Sequence, residues 1–281
     1  MNKQKPKKDD VSFWDQHRGV INARKGGWVP GEAIYNQGYS MMEDLVGKVS
    51  FFQVLVLNIT GRMIDRKFAE WIDNIYICMS WPDSRIWCNQ VSTLAGTMRT
   101  TPVAAVCAGI LAADSPMYGS APVLAGSQFI REALIKKQKG MTAEEIVKEQ
   151  QRRPSSPPVI TGYARPVAKG DERVIAMKMV TEKLGFEIGD HLKLGFEIER
   201  VLESQFDETM NICGYVSAFF ADQGFSPHEC YQVFTAVVYG GTHACYAEAL
   251  EQPPGSFFPL RCEDIDYQGK PPRPVPEHDE D

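Results

Sequence analysis

Three segments of the chain concentrate residue types that bind or stabilise negative charge. They are residues 116–121 (PMYGSA), 162–173 (GYARPVAKGDER) and 210–215 (MNICGY). Tyr118 and Arg165 can both donate hydrogen bonds to a developing oxyanion, but arginine stays charged near neutral pH and cannot shuttle a proton. Cys213 can act as a base or nucleophile only if its pKa falls from the ordinary value of about 8.5. These residue types favour charge stabilisation over proton transfer.

The apolar spacing around these segments is helical almost throughout. Steps of three and four residues predict amphipathic helices over 50–58 and 64–78. Residues 101–113 are rich in Ala, Val, Gly and Ile on all sides and predict a helix that is buried all round. Further helices are predicted over 142–153, 171–184, 190–204, 208–221 and 227–239. No convincing alternating strand is found, and the Pro-rich end from Pro253 is expected to be extended and partly mobile.

Composition limits the classes of function. With 281 residues, 43% of them hydrophobic, the chain can form one large domain or two modest ones. A net charge of −6 gives no general attraction to nucleic acid or anionic lipid. The sequence has no GxGxxG, GxxxxGK[ST] or HExxH motif, and its seven cysteines include no CxxC pair, so reduced thiols are expected and no metal site. No signal peptide or membrane-spanning run is visible, so a cytoplasmic protein is expected.

In order and spacing, the three segments resemble the active-site segments of the citrate synthase superfamily, and more closely those of its short citryl-CoA lyase-like group. The resemblance runs from about Phe13 to a YxGxPPR-like ending at Tyr267, Gly269 and Arg273. It implies an all-α fold with a large and a smaller helical domain. By analogy, residues 1–121 begin the large domain, 122–223 form the small domain, and 224–281 return to the large domain and form an extended tail.

The resemblance also implies roles for individual residues, although the family's acid/base groups are replaced. Tyr118 stands at the place of the histidine that holds the thioester enolate, and Arg165 at that of the histidine that polarises the carbonyl. Cys213 stands at the place of the catalytic aspartate. Arg173 matches the arginine of the DPR motif, which clamps a substrate carboxylate through a bidentate contact that lysine cannot make. A second family arginine is replaced by Val238, which suggests a substrate with fewer carboxylates than citrate.

Four further residues are candidates by the same resemblance. Asn211, Asp83 and Arg273 are expected to bind substrate, and Lys169 lies in the loop where family members place coenzyme A. Simpler roles remain open for some of them. Asp83 could cap a helix that begins at Ser84, Lys169 could be solvated, and Arg273 could be one cation in a mobile tail.

The site residues also have simpler interpretations. Arg173 could form a salt bridge with Asp171 or Glu172, and Cys213 could be an inert helix residue, unless Arg165 lowers its pKa toward the thiolate.

Two functions remain open. The first is a carbon–carbon bond lyase or Claisen-type acyltransferase that acts on a coenzyme A thioester and a small carboxylate, with a non-standard active site. The second is a catalytically degenerate subunit that binds an acyl-CoA or an active paralogue, which the loss of all three acid/base groups favours. A homodimer or a hetero-oligomer with a paralogue is expected, without nucleic-acid or membrane partners.

Overall fold

Helices dominate the computed structural model, which describes residues 10–19, 21–153, 156–165, 168–257 and 261–275. The α-helices are α1 Ser12–Asp15, α2 Phe51–Thr60, α3 Arg66–Met79, α4 Trp87–Thr97, α5 Pro102–Ala113, α6 Ser120–Gln138, α7 Ala143–Glu149, α8 Glu172–Lys183, α9 Asp190–Phe206, α10 Ile212–Asp222, α11 Pro227–Phe234 and α12 Gly240–Glu251. A π-helix spans Met41–Leu45 and a 3-10 helix Cys262–Asp264. The predicted helical class is therefore confirmed.

One small antiparallel sheet was not indicated by the sequence. Its strands are β1 Gly26–Val29, β2 Ala33–Asn36 and β3 Tyr39–Ser40, in the order β1-β2-β3. Every residue of β1 is exposed, so burial does not alternate along the strand. Because the sheet lies at the surface, it lacks the apolar–polar alternation by which strands are recognised.

Local capping explains where several helices begin and end. The chain is extended before α10, where the Met210 N–H donates to Glu199 Oε1 at 3.0 Å. Asn211 then caps α10 by accepting hydrogen bonds from two backbone N–H groups. The helix predicted from residue 208 therefore begins at Ile212. The helices predicted to reach 153 and 239 also end earlier, at Glu149 and Phe234.

The chain divides into two compact units. The first comprises Met1–Trp81 and Ala113–Gly240, and the second comprises Pro82–Ala112 and Gly241–Asp281. These bounds differ from the domains 1–121, 122–223 and 224–281, which come from family analogy and stay a prediction.

An aromatic centre holds the first unit together. Trp71 of α3 stacks on Phe219 of α10, with ring centroids 4.1 Å apart. Its Nε1 donates to Thr181 Oγ1 at 2.8 Å, and the Tyr215 hydroxyl donates to the same oxygen at 2.8 Å. Thr181 in turn donates to the Met177 carbonyl at 2.7 Å. One threonine hydroxyl thus satisfies the polar atoms of two buried aromatic side chains.

Small residues set the packing of the second unit. A Cβ on Gly109 of α5 would lie 2.8 Å from Thr242 of α12, and a Cβ on Gly96 of α4 would lie 2.8 Å from Ala249. The opposite face of α5 is exposed, with Val103 at 71% and Leu111 at 77% of full exposure. The prediction that α5 is buried all round is therefore wrong for the single chain, because the face that carries Val103, Ala104 and Leu111 is exposed.

Within the described ranges, no helix combines the length and the apolar character that crossing a membrane requires.

Replacement of Thr181 by valine should keep the side-chain shape but leave the Trp71 donor without its buried acceptor and the Tyr215 hydroxyl with only the Met177 carbonyl, 3.4 Å away. We expect the free energy of unfolding to fall by about 2–4 kcal/mol, measured by urea denaturation. Thr235→Val is the matched control, because the Thr235 hydroxyl is exposed and bonds only a nearby carbonyl. Equal losses in the two variants would show that the Thr181 hydrogen bonds do not contribute to the stability of the core.

Candidate functional site

Backbone hydrogen bonds join two of the three predicted segments. The Ala164 N–H donates to the Thr209 carbonyl at 2.9 Å, and the Asn211 N–H donates to the Gly162 carbonyl at 3.0 Å. The Asn211 side chain donates to the Ala164 carbonyl at 2.7 Å while its oxygen caps α10. A Cβ on Gly214 would lie 2.2 Å from the Gly162 oxygen, so only glycine allows this approach. The turn that carries Arg165 is therefore fixed against the start of α10.

A buried carboxylate lies at the centre of the site. Asp171 caps α8, and its side chain is fully buried. One oxygen accepts from Arg173 Nε at 2.8 Å, and the other accepts from Arg173 Nη2 at 2.7 Å. The second oxygen also accepts from the Ile212 N–H at 2.9 Å, which connects α8 to the first turn of α10.

Two guanidinium groups lie beside this carboxylate. Arg173 grips Asp171 from the side, and its remaining Nη1 lies 3.4 Å from Met79 Sδ. Arg165 Nη1 lies 3.9 Å from Asp171 Oδ1 and 2.6 Å from Glu172 Oε2. The salt bridge considered for Arg173 is therefore present. The salt bridge fixes the orientation of the Arg173 guanidinium.

The titration of these groups follows from their contacts. Burial raises the pKa of Asp171, but the hydrogen bonds and charge of Arg173, with the Ile212 N–H, lower it below its ordinary value overall. Burial lowers the pKa of Arg173, but Asp171, Glu172 and Tyr118 raise it overall. The pair is thus charged at neutral pH, and neither member is suited to proton transfer there.

Cys213 lies on the first turn of α10 but is not activated. Burial of its thiol raises the pKa to about 12, only partly opposed by Ser217, whose Oγ lies 4.0 Å from the sulfur. The expectation that Arg165 lowers this pKa toward the thiolate is wrong. At neutral pH Cys213 carries a protonated thiol, as in the inert interpretation.

Tyr118 precedes α6 and is partly buried. It contributes to the electrostatic environment of Arg173, so the structure brings these two predicted residues into one neighbourhood. Gly119 follows with a φ of 81°, and a Cβ there would lie 2.0 Å from the Ala113 carbonyl oxygen. The turn that presents Tyr118 therefore requires this glycine.

The other candidates are placed less centrally. Lys169 pairs with exposed Asp207, and Asn211 serves the backbone contacts described above. Asp83 and Arg273 belong to the second unit. Asp83 accepts from the Arg85 N–H and guanidinium and does not cap a helix at Ser84, because α4 begins only at Trp87. Arg273 lies with Tyr267 and Lys270 along an open surface groove of the exposed C-terminal segment.

Two contacts of the site were not foreseen. Glu172 pairs with Arg165 rather than with Arg173, and Met79 lies against Arg173 although it ends a helix far away in sequence. The sequence contains an indication of the first contact. Two arginines and two carboxylates lie within nine residues, so each arginine has two possible partners. No sequence signal was available for the second contact.

Replacement of Asp171 by asparagine should leave the Arg173 charge partly buried without its counterion. We expect a loss of about 2–4 kcal/mol in the free energy of unfolding at pH 7. Because the pKa of Asp171 is lowered on folding, its stabilisation is complete above the ordinary value of 3.8 and is lost as the pH falls through the folded value.

The difference in the free energy of unfolding between wild type and Asp171→Asn should therefore become smaller as the pH falls. It is measured by urea denaturation between pH 7 and pH 3. Asp190→Asn, at an exposed carboxylate, is the control, and it should change the free energy of unfolding little at any pH. A difference that is constant across this pH range would contradict the role of the Asp171 charge.

Comparison with known proteins supports the fold. No protein-family model matches the chain, and no curated protein matches it in sequence. Among solved structures it is similar to citryl-CoA lyase from Hydrogenobacter thermophilus, with a TM-score of 0.76, 22% identity and coverage of 92% of this chain and 98% of that one.

Two further solved structures are similar over most of this chain but are themselves longer. ATP citrate lyase from Methanothrix soehngenii, in complex with citrate and coenzyme A, has a TM-score of 0.72 and 15% identity over 96% of this chain and 45% of that one. Citrate synthase from Pyrobaculum aerophilum has a TM-score of 0.62 and 20% identity over 81% and 55%. The chain therefore has the citrate synthase-like fold, as the resemblance of its three segments led us to expect.

Proposed function

We propose that the chain is a carbon–carbon bond lyase or acyl-CoA condensing enzyme that acts on a coenzyme A thioester and a carboxylate-bearing partner. The observation that carries the proposal is the pair of guanidinium groups, Arg165 and Arg173, held around buried Asp171. A lyase of this kind would cleave a 3-hydroxy-acyl thioester into an acyl thioester and an oxo acid, and a condensing enzyme would join them. In both directions negative charge develops on oxygen, which pre-oriented donors stabilise.

The roles of the proposed residues follow from their chemistry. Arg173 would bind the substrate carboxylate, Arg165 would stabilise the carbonyl oxygen that gains charge, and Tyr118 would donate to the thioester oxygen. Arg173 is suited to its role because Asp171 fixes its orientation before a ligand arrives. Pre-orientation of this kind lowers the entropic cost of binding and of reaching the transition state.

A coenzyme A thioester is proposed as substrate because the fold is shared with an ATP citrate lyase seen with citrate and coenzyme A. Lys169 is the candidate contact for the coenzyme, and Asn211 is a candidate contact for the substrate; both belong to the first unit, with Arg165 and Arg173. No resident metal is proposed.

The second candidate function is a degenerate subunit that binds an acyl-CoA or an active paralogue. The protonated Cys213 thiol favours it, because this residue stands where the family places its catalytic base and cannot remove a proton at neutral pH.

We also propose a cytoplasmic homodimer, or a pairing with a paralogue. Apolar side chains on α5 and at the end of α4 support this pairing, since Leu94, Met98, Val103 and Leu111 are all exposed in the single chain.

One experiment separates the two functions. The purified chain is incubated with citryl-CoA, and the oxo acid product is measured; separately it is given acetyl-CoA with oxo acids, and free thiol release is measured. Both assays are repeated with any paralogue encoded nearby. Turnover by the chain alone supports the enzyme, turnover only in the mixture supports the degenerate subunit, and turnover in neither contradicts both the lyase and the condensing proposals.

Arg173→Lys should raise the KM for the carboxylate substrate about ten- to hundredfold, since lysine loses about 1.5–3 kcal/mol of paired charged hydrogen bonds. Because Arg173 also grips Asp171, unfolding of the variant is measured in parallel, and KM is compared only under conditions where it is fully folded. Arg200→Lys, an exposed change on α9, is the control. An unchanged KM in Arg173→Lys would remove Arg173 from the binding site.

Cys213→Ser should alter turnover by less than about twofold, because a thiol that stays protonated contributes no base or nucleophile. Steady-state kinetics across pH 6–9 provide the measurement. A loss of tenfold or more in kcat, in a protein with unchanged unfolding, would restore Cys213 as a catalytic group.

A further inference from the structure

We propose that Glu172 is an internal competitor for Arg165, and that a carboxylate of the ligand displaces it on binding. Glu172 would thereby set how tightly the site binds carboxylates and which ones it prefers. The inference deepens the proposed function, since it rests on a carboxylate-binding site at Arg165 and Arg173. Glu172 would be a specificity-determining residue rather than a catalytic one.

The geometry of the contact is that of a bound ligand. Arg165 Nη1 donates to Glu172 Oε2 at 2.6 Å, and Nη2 donates to Oε1 at 3.3 Å. Two parallel N–H bonds to two carboxylate oxygens are the way a guanidinium binds a substrate carboxylate. Glu172 therefore occupies the binding edge of Arg165 that a ligand would need.

Exposure distinguishes the two partners of this contact. The Glu172 side chain retains 69% of its exposure, whereas the Arg165 side chain retains 14%. Glu172 can thus turn into solvent and be hydrated at little cost, while Arg165 stays at the site. An ion pair with one exposed member contributes little to stability, so it is readily exchanged.

Asp171 cannot take part in the same exchange. Its side chain is fully buried, and its two oxygens accept from Arg173 and from the Ile212 N–H. Displacing it would leave a backbone donor unsatisfied and a buried charge unpaired. A ligand that enters the site therefore meets one fixed carboxylate and one that can leave.

Charge balance gives the number of ligand carboxylates involved. Arg165 and Arg173 are offset by Asp171 and Glu172, so the four groups sum to zero. When Glu172 turns away from Arg165, the remaining three groups carry one positive charge, which a single ligand carboxylate balances. One carboxylate of the ligand would thus replace one carboxylate of the protein.

Glu172 also opens α8, where a negative side chain interacts favourably with the helix N-terminus even without Arg165. The experiment must therefore distinguish competition from simple helix stabilisation.

Calorimetric titration with acetate, malate and citrate, which carry one, two and three carboxylates, tests the inference. The proteins are wild type, Glu172→Gln, Arg165→Gln and the double variant. Glu182→Gln is the matched control, because it removes an exposed charge from the same helix. We expect Glu172→Gln to bind carboxylates about two- to fivefold more tightly than wild type, the free-energy range of a partly exposed ion pair. The gain should vanish in the Arg165→Gln background and be absent in Glu182→Gln.

Each other outcome overturns the inference. Equal affinities of wild type and Glu172→Gln would show that the ion pair does not compete with the ligand. A gain that persists without Arg165, or that Glu182→Gln reproduces, would assign the effect to overall charge. A lack of binding to every protein would remove the carboxylate site itself.

The titrations remain distinct from the activity assays. A Glu172→Gln gain in a chain that turns over no thioester would leave this inference standing and remove the proposed reaction. Turnover of a thioester, with no difference in carboxylate affinity between wild type and Glu172→Gln, would support the proposed reaction and remove this inference.

Discussion

The site depends on one buried carboxylate that has more donors than an ordinary salt bridge. Asp171 caps α8, holds Arg173 by two nitrogens and accepts the first N–H of α10. A buried ion pair of this kind is weak evidence for stability, because desolvation offsets much of the attraction between its charges. Its value here is orientation, since two helices and one guanidinium receive their relative positions from the same two oxygens.

The described residues around Asp171 offer groups that stabilise negative charge more readily than they accept a proton at neutral pH. Hydrogen-bond donors for an anionic ligand are present at Arg165, Arg173 and Tyr118, whereas Cys213, which the sequence resemblance matched to a catalytic base, carries a thiol whose pKa is about 12. Such a site can bind an anionic ligand and stabilise an oxyanion more readily than it can move a proton at neutral pH. The two proposed functions differ in whether the site also transfers a proton, and the fold is compatible with either.

The sequence predicted the helices best where apolar spacing and capping residues agree. The helix bounds of α2, α3, α8 and α9 lie within a few residues of the expectation, because each has an apolar face and a polar or glycine end. The start of α10 was missed because the Met210 N–H is satisfied by Glu199, a tertiary contact that local spacing does not reveal. The exposed face of α5 was missed because its composition is the same on both sides of the helix.

The sequence predicted which segments form the candidate site, but not which side chains contact each other within it. The resemblance brought together the segments of Tyr118, Arg165, Arg173 and Cys213. The pairing of Arg165 with Glu172 and the raised pKa of Cys213 follow from burial and side-chain direction, which the sequence does not give.

The approach of Gly162 to Gly214 has a consequence for how such a site can change. Because two backbones touch there without any side chain between them, neither the turn before Arg165 nor the first turn of α10 can shift alone. Variation is then confined to what projects from a rigid scaffold, so a histidine, an arginine or a thiol can be exchanged without rebuilding the chain path. A lineage could in this way lose one reaction and acquire another while its backbone stays the same.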